Sequence, residues 1–352
     1  MKITKTANPK QKPDYSNLGF GKYFTDHMLI MDYEGGKWGE PEIVPYGNFS
    51  LDPSTLVLHY GQGIFEGAKA YKDAEGHIST FRIKDNFLRM NRSASRLCMP
   101  EIDDIDKVIA ALFELIKLEE DWIPTAPGTA LYIRPTMIAT DARLGVHASS
   151  KYRFYVVLSP VGSYYAHGLQ PTRIIMEDKY IRVPLEGTGE AKCIGNYAAS
   201  LLAGELAAKK GYDQVLWLDA KEMKYVEEVG SMNMFFVFGD TIVTPALIGS
   251  ILPGITRASA IQLLRDDGFK VEERRVSVQE IEDSVKNGTL KEAFGTGTAA
   301  VVSPVGVLNY KGEDILINNN EMGEVSKYLY DKLTGIQYGR VADPYGWMVK
   351  IK

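Results

Sequence analysis

Lys192 sits between Gly189 and Gly195, at the head of a run of small residues that extends to Lys210. Glycine lets a backbone and a ligand approach closely. A lysine amine held in tight, partly dry surroundings is a nucleophile suited to an imine. The spacing equally fits a solvated lysine near a helix start. Glu227 and Glu228 stand just before the apolar run 232–238. A buried carboxylate needs a cation beside it, whereas two acids in a loop need nothing. Leu252-Pro253-Gly254-Ile255-Thr256-Arg257 leads into a helix pattern, whose free amides form an anion site or are simply capped. Thr298, in Gly295-Thr296-Gly297-Thr298, offers another hydroxyl and amide. Arg89 is a phosphate partner or a surface arginine.

Each signal has a plain structural alternative. Together they supply an amine nucleophile, an acid to hold a protonated pyridine and two phosphate-binding backbones, all in one half-chain. Those are the requirements of pyridoxal phosphate.

The elements that must position these groups are short and mixed. Residues 27–33, 78–82, 130–138 and 152–159 read as strands, and 105–118 as an amphipathic helix. Residues 85–97 read as a helix capped by Asp85, with Phe87, Met90, Ala94 and Leu97 on one face. In the second half, 172–177, 214–218 and 299–308 read as strands, and 196–210, 255–264 and 278–287 as helices. Met232 to Phe238, Gly239-Asp240 and Thr241-Ile242-Val243 form a hairpin signal. The breaker-rich stretch around 160–168 marks a linker. The expected organisation is α+β: an N-terminal domain over 1–161 with a mobile arm at 1–17, an interdomain loop at 162–172, and a C-terminal domain over 173–352.

Composition narrows the partners. Lys plus Arg is 40 and Asp plus Glu is 45, a net charge of −5 that argues against nucleic acid or anionic membrane. No apolar run reaches the roughly 18 residues of a membrane span. Two cysteines, Cys98 and Cys193, cannot staple a fold and read as reduced thiols of a cytoplasmic protein. The 5 histidines show no metal spacing, so no metal is expected. The glycine loops are not nucleotide cradles. Gly187-Thr188-Gly189 lacks the following Gly-Lys-Ser/Thr, and Gly295-Thr296-Gly297 precedes a strand pattern rather than a helix.

Five ordered motifs carry a resemblance: Ala191-Lys192-Cys193-Ile194-Gly195-Asn196-Tyr197, Gln214-Val215-Leu216-Trp217-Leu218-Asp219, Glu228-Val229-Gly230-Ser231-Met232-Asn233, Leu252-Pro253-Gly254-Ile255-Thr256-Arg257 and Phe294-Gly295-Thr296-Gly297-Thr298-Ala299. Gly63-Ile64-Phe65-Glu66-Gly67, Leu131-Tyr132-Ile133-Arg134-Pro135 and Ile336-Gln337-Tyr338-Gly339 agree with them. The chain resembles the branched-chain amino acid aminotransferases, in the fold type IV class of pyridoxal-phosphate enzymes. D-amino-acid aminotransferases and aminodeoxychorismate lyases share that fold but lack the Leu-Tyr-Ile-Arg-Pro and Ile-Gln-Tyr-Gly context. A non-catalytic protein on the scaffold would be expected to lose Lys192 or Glu228.

The resemblance implies a small α/β N-terminal domain, a larger C-terminal pseudo-barrel and a homodimer. It implies transamination between L-leucine, L-isoleucine or L-valine and 2-oxoglutarate. Lys192 would be the imine lysine and proton carrier, Glu228 the partner of the pyridine nitrogen, and Tyr197 that of the phenolic oxygen. Arg89, Ile255, Thr256 and Thr298 would hold the phosphate, with Arg182, Ser231, Leu252 and Gly254 completing the cofactor site. Phe20, Tyr60, Phe65 and Tyr164 would line the side-chain pocket, with Leu144 and Val146 supplied by the partner subunit. Tyr132 and Arg134 would meet the distal carboxylate of glutamate. The amides of Thr298 and Ala299 would bind the α-carboxylate. Ala300 and Ser303 replace the Cys-x-x-Cys pair of mammalian relatives.

Overall fold

The structure, a computed structural model, describes residues 1–162 and 169–351. The chain divides into two compact units, Met1–Ala166 with Ala191–Gly195 and Gly335–Lys352, and His167–Glu190 with Asn196–Thr334. The chain thus leaves the second unit for five residues around Lys192 and rejoins the first again near its end.

The first unit is built on β1 (Lys2–Ile3), β2 (His27–Glu34), β3 (Lys37–Trp38), β4 (Glu42–Pro45), β5 (Gly63–Phe65), β6 (Ala68–Lys72), β7 (Ile78–Phe81), β8 (Ala130–Ala139) and β9 (Tyr152–Val161). With the C-terminal Met348–Lys350 they form one sheet in the order β1-β4-β2-β9-β8-β6-β7 and then the C-terminal strand, with β3 on β2 and β5 on β8. A short helix α1 (Leu56–Tyr60) precedes β5. Helices α2 (Ile83–Arg96) and α3 (Ile105–Leu118) cover the sheet. α3 starts where Asp104 accepts from the Lys107 amide, and buries Val108, Ala111, Leu112 and Leu115 at helical spacing. Each such aliphatic side chain of valine or leucine size contributes about 1.5–3 kcal/mol of burial.

Two expectations change here. Asp85 is not the cap of α2: Arg82, with φ +50°, holds that position, and Asp85 turns back to pair with its Nε at 2.6 Å. The arm 1–17 is tied to the sheet. β1 pairs with β4, the Thr6 amide donates to His27, and Lys10 Nζ donates to the Thr25 carbonyl at 2.7 Å.

The second unit contains β10 (Thr172–Met176), β11 (Gln214–Leu218), β12 (Val226–Val229), β13 (Met232–Phe238), β14 (Thr241–Thr244), β15 (Lys270–Glu273), β16 (Leu290–Gly297), β17 (Val301–Tyr310) and β18 (Glu313–Leu316). The order β12-β11-β10-β17-β16-β13 returns to its start, because β12 also pairs with β13. The sheet therefore closes on itself, the pseudo-barrel that the resemblance implied. α4 (Ile194–Lys209), α5 (Ile255–Asp266), α6 (Val278–Lys286) and α7 (Glu324–Gln337) complete the chain, followed by β19 (Met348–Lys350). Gly295-Thr296-Gly297 ends β16 and opens no helix, as its flanking pattern required.

Candidate active site

In the first unit, β5, β6, β8 and β9 set one face. Directly paired residues share a face, and alternate residues along a strand return to it. Phe65 pairs with Thr136, Lys69 with Tyr132, Tyr132 with Ser159, and Arg134 with Val157. Lys69, Tyr132, Arg134 and Phe65 therefore look the same way. The Arg134 guanidinium lies 4.7 Å from the Phe65 ring centre and donates to the Tyr132 hydroxyl at 3.3 Å. Phe20 meets Tyr132 edge-on at 4.9 Å. Gly67 must lack a side chain, since a Cβ there would reach within 2.1 Å of the Tyr132 hydroxyl.

Lys192 belongs to the same assembly. Its carbonyl accepts from the Phe65 amide at 3.0 Å, and its amide donates to Ser93 Oγ at 2.9 Å. Cys193 bridges to Ile64, so the segment lies against β5 like a short extra strand. The Lys192 ammonium stands 4.8 Å from the centre of the Phe65 ring. Arg89 is buried, not a surface arginine, and its Nε and Nη2 grip both oxygens of Glu66 at 2.8 and 2.9 Å. Burial drives the pKa of the Lys69 ammonium down to about 8.

In the second unit, Glu227 and Glu228 lie in β12, both buried, rather than in a solvated loop. Arg182 Nε holds Glu228 Oε2 at 2.6 Å. The Leu252 amide and Asn233 Nδ2 donate to Oε1 at 3.2 and 3.4 Å. Arg182 also donates to the carbonyls of Ser250 and Gly189. A Cβ on Gly189 would lie 2.2 Å from the Ser250 carbonyl oxygen, so this close approach admits only glycine. Ser250 Oγ donates to Glu227, whose carboxyl is pushed up by burial and by the neighbouring Glu228.

Asn233 bonds the Leu252 carbonyl at 2.9 Å, tying Glu228 to the entrance of α5. Gly254 caps that helix with no side-chain hydrogen bond, and the Thr256 side chain behind it is buried. Uncapped amides at a helix N-terminus attract an anion. Thr298 and Ala299 form the turn between β16 and β17, and Val301 after them holds φ +62°. A β-branched residue rarely adopts that value, so the turn is strained where the site residues sit.

The amino-transferase class IV family model matches residues 63–307. Branched-chain-amino-acid transaminase 1 of Bacillus subtilis (strain 168) is 54% identical over 349 residues, covering 99% of this chain and 98% of that one. Branched-chain-amino-acid aminotransferase 2 of the same strain is 51% identical over 352 residues, covering 100% and 97%. The chain belongs to the branched-chain-amino-acid aminotransferases. Among solved structures, the enzyme of Escherichia coli superposes with a TM-score of 0.78 at 26% identity, over 93% of this chain and 99% of that one. A thermophile's branched-chain amino acid aminotransferase, solved with pyridoxamine 5'-phosphate, gives 0.77 at 26% identity, over 96% and 99%.

Class IV aminotransferases work with pyridoxal phosphate, and the residues present suit it. A buried carboxylate fixed by an arginine is the partner a pyridinium needs, an uncapped helix start is one for phosphate, and Lys192 supplies the amine. Tyr197 lies half-buried in the first turns of α4, and Ser231 is exposed in the turn from β12 to β13. The Tyr60 hydroxyl accepts from the Gly145 amide at 2.8 Å, placing Tyr60 with the loop of Leu144 and Val146. Tyr164 lies outside the described residues.

Two charged residues of this aminotransferase escaped the sequence reading, Glu66 and Lys69. The only sequence signal was a charge on each side of Gly67 in an otherwise apolar run. The structure also gathers Asp73, Glu75 and His77 in an exposed turn, where Asp73 is occupied by the amides of Glu75 and His77 and by the His77 ring.

Cys98 is exposed and Cys193 buried, and both belong to the first unit, not to different domains as expected, because residues 191–195 join it. The positions after the Gly-Thr turn are Ala300 and Ser303. Treatment with diamide is therefore expected to leave activity nearly unchanged, since burial shields the thiol next to Lys192. A large loss restored by dithiothreitol would contradict this.

Proposed function

We propose that this chain transfers the amino group of L-leucine, L-isoleucine or L-valine to 2-oxoglutarate, giving the branched-chain 2-oxo acid and L-glutamate. Identities of 51% and 54% over the whole chain favour this over the other activities of the fold. One observation carries the reading: the face beneath Lys192 combines aromatic rings with buried cations. A branched-chain side chain needs the rings, and the distal carboxylate of glutamate needs the cations.

Pyridoxal phosphate, when bound, supplies the electron sink that makes the substrate Cα–H acidic. Lys192 Nζ would hold the cofactor through its aldehyde carbon and then take and return the Cα proton. Glu228 would keep the proton on the ring nitrogen, with Arg182 and Leu252 holding Glu228 in place. Tyr197 would donate to the phenolic oxygen. Arg89, the Ile255 and Thr256 amides and Thr298 would bind the phosphate, and Ser231 and Gly254 would line the site. Thr298 and Ala299 would receive the α-carboxylate. Phe20, Phe65 and Tyr132 would exclude water from an aliphatic side chain, while Arg134 and Lys69 would accept a carboxylate there.

Leu144 and Val146 are 65% and 86% exposed, an unfavourable state for apolar side chains held in place by Tyr60. Leu201 and Leu202 on α4 are also exposed. These surfaces support a homodimer in which the 144–146 loop serves the partner subunit. Among the described residues no helix is long and apolar enough to cross a membrane. We place the enzyme in the cytoplasm, where both thiols stay reduced.

The test is Arg134→Ala. An arginine–carboxylate contact is worth about 1.5–3 kcal/mol, so KM for glutamate and 2-oxoglutarate should rise about 10–150-fold. KM for leucine should change by much less, because leucine brings no second carboxylate. In the unsubstituted enzyme, Lys69 loses its charge as pH rises through about 8. KM for glutamate should climb across that range while KM for leucine does not follow it. Equal losses for both substrates in Arg134→Ala would refute the assignment.

A further inference from the structure

Helix α2 presents Asn86, Arg89 and Ser93 along one buried face. Ser93 holds the Lys192 amide, and the other two hold Glu66. The Glu66 side chain is 1% exposed and the Arg89 side chain 4%. Glu66 Oε1 accepts from Arg89 Nε, and Oε2 accepts from Arg89 Nη2, Asn86 Nδ2 at 2.9 Å and the Gly67 amide at 3.2 Å. Burial alone would raise the Glu66 carboxyl, but Arg89, Lys192 and Asn86 outweigh it and keep it below its usual value. The carboxylate is therefore ionised between two cations, and its fork contact fixes the plane and direction of the guanidinium.

We infer that Glu66 is a positioning residue for the cofactor phosphate, acting through Arg89, which it locks so that the guanidinium's remaining edge is preorganised for an anion. This deepens the proposed function and rests on the reading of Arg89 as a phosphate ligand.

The sign of the effect separates this role from a direct one. A carboxylate near a phosphate repels it, so Glu66 can favour phosphate only by ordering the arginine. Glu66 also offsets the mutual repulsion of Arg89 and Lys192 before the cofactor arrives. An unpaired guanidinium buried this deeply would have to move towards solvent.

The experiment measures binding of pyridoxal phosphate, pyridoxal and inorganic phosphate to apoenzyme prepared from the holoenzyme. Glu66→Gln should weaken pyridoxal phosphate and inorganic phosphate by about tenfold or more, the scale of losing an orienting partner, and leave pyridoxal within about twofold. Glu66→Asp keeps the charge but is one methylene short of the fork contact. It should show the same phosphate-selective loss with thermal unfolding close to that of the parent. In an Arg89→Ala background, adding Glu66→Gln should leave pyridoxal phosphate affinity unchanged or slightly improved. If Arg89→Ala weakens phosphate binding but a folded Glu66→Gln or Glu66→Asp does not, the inference is overturned and the Arg89 reading stands. If Arg89→Ala itself leaves the preference for pyridoxal phosphate over pyridoxal intact, both fall.

Discussion

Lys192→Ala lowers turnover of leucine and 2-oxoglutarate by about 10⁴-fold or more, the scale seen when a group that acts as both nucleophile and proton carrier is removed. The fold should survive. Lys192 is anchored through its backbone, by Phe65 and Ser93, and Glu66 retains Arg89 and Asn86 as partners. Stopped-flow turnover and the absorption spectrum after adding pyridoxal phosphate check this together. A variant that keeps both its rate and the absorption of a cofactor imine would remove Lys192 from the chemistry.

Glu228→Gln is expected to cut the rate by about 10²–10³-fold, the scale of losing one preorganised electrostatic group. The amide still reaches the Leu252 amide and Asn233 but no longer carries a charge for a pyridinium. It also leaves Arg182 buried beside a neutral partner. Breaking a buried ion pair costs up to about 3–5 kcal/mol, so the melting temperature should fall as well. Kinetics in cofactor excess separate the two effects. A full rate at unchanged cofactor affinity would show that Glu228 only supports Arg182.

The sequence made the helix over 105–118 and the central strands legible, because their periodicity is local. Lys192 was legible through its flanking glycines. The acids of β12 were not. A pair of carboxylates in a row looks like a loop, and what makes their burial tolerable is Arg182, contributed by a different segment. Glu66 and Lys69 were hidden for the same reason: Glu66 is paired from α2 and Lys69 is flanked by β8, both remote in sequence. Asp85 had the right residue type for a cap, but Arg82 adopted the left-handed conformation and took the position. Closure of the second sheet was also beyond a local reading, since it depends on β12 pairing on both sides.

That closed ring has a consequence for biosynthesis. β10 is an early strand of the second unit, yet one of its neighbours in the ring is β17. The Thr172 hydroxyl bonds the Pro304 carbonyl, 132 positions away. During synthesis the ring cannot shut until β17 has left the ribosome, and pairings this distant form slowly. Until then β10 and β16 each carry a bare edge, the feature that lets unfinished sheets stick to one another. Nascent chains that stall before Val301 therefore hold most of the barrel's strands but no barrel. They are the natural clients of chaperones that shield strand edges, and completion of one late strand converts an adhesive sheet into a closed one.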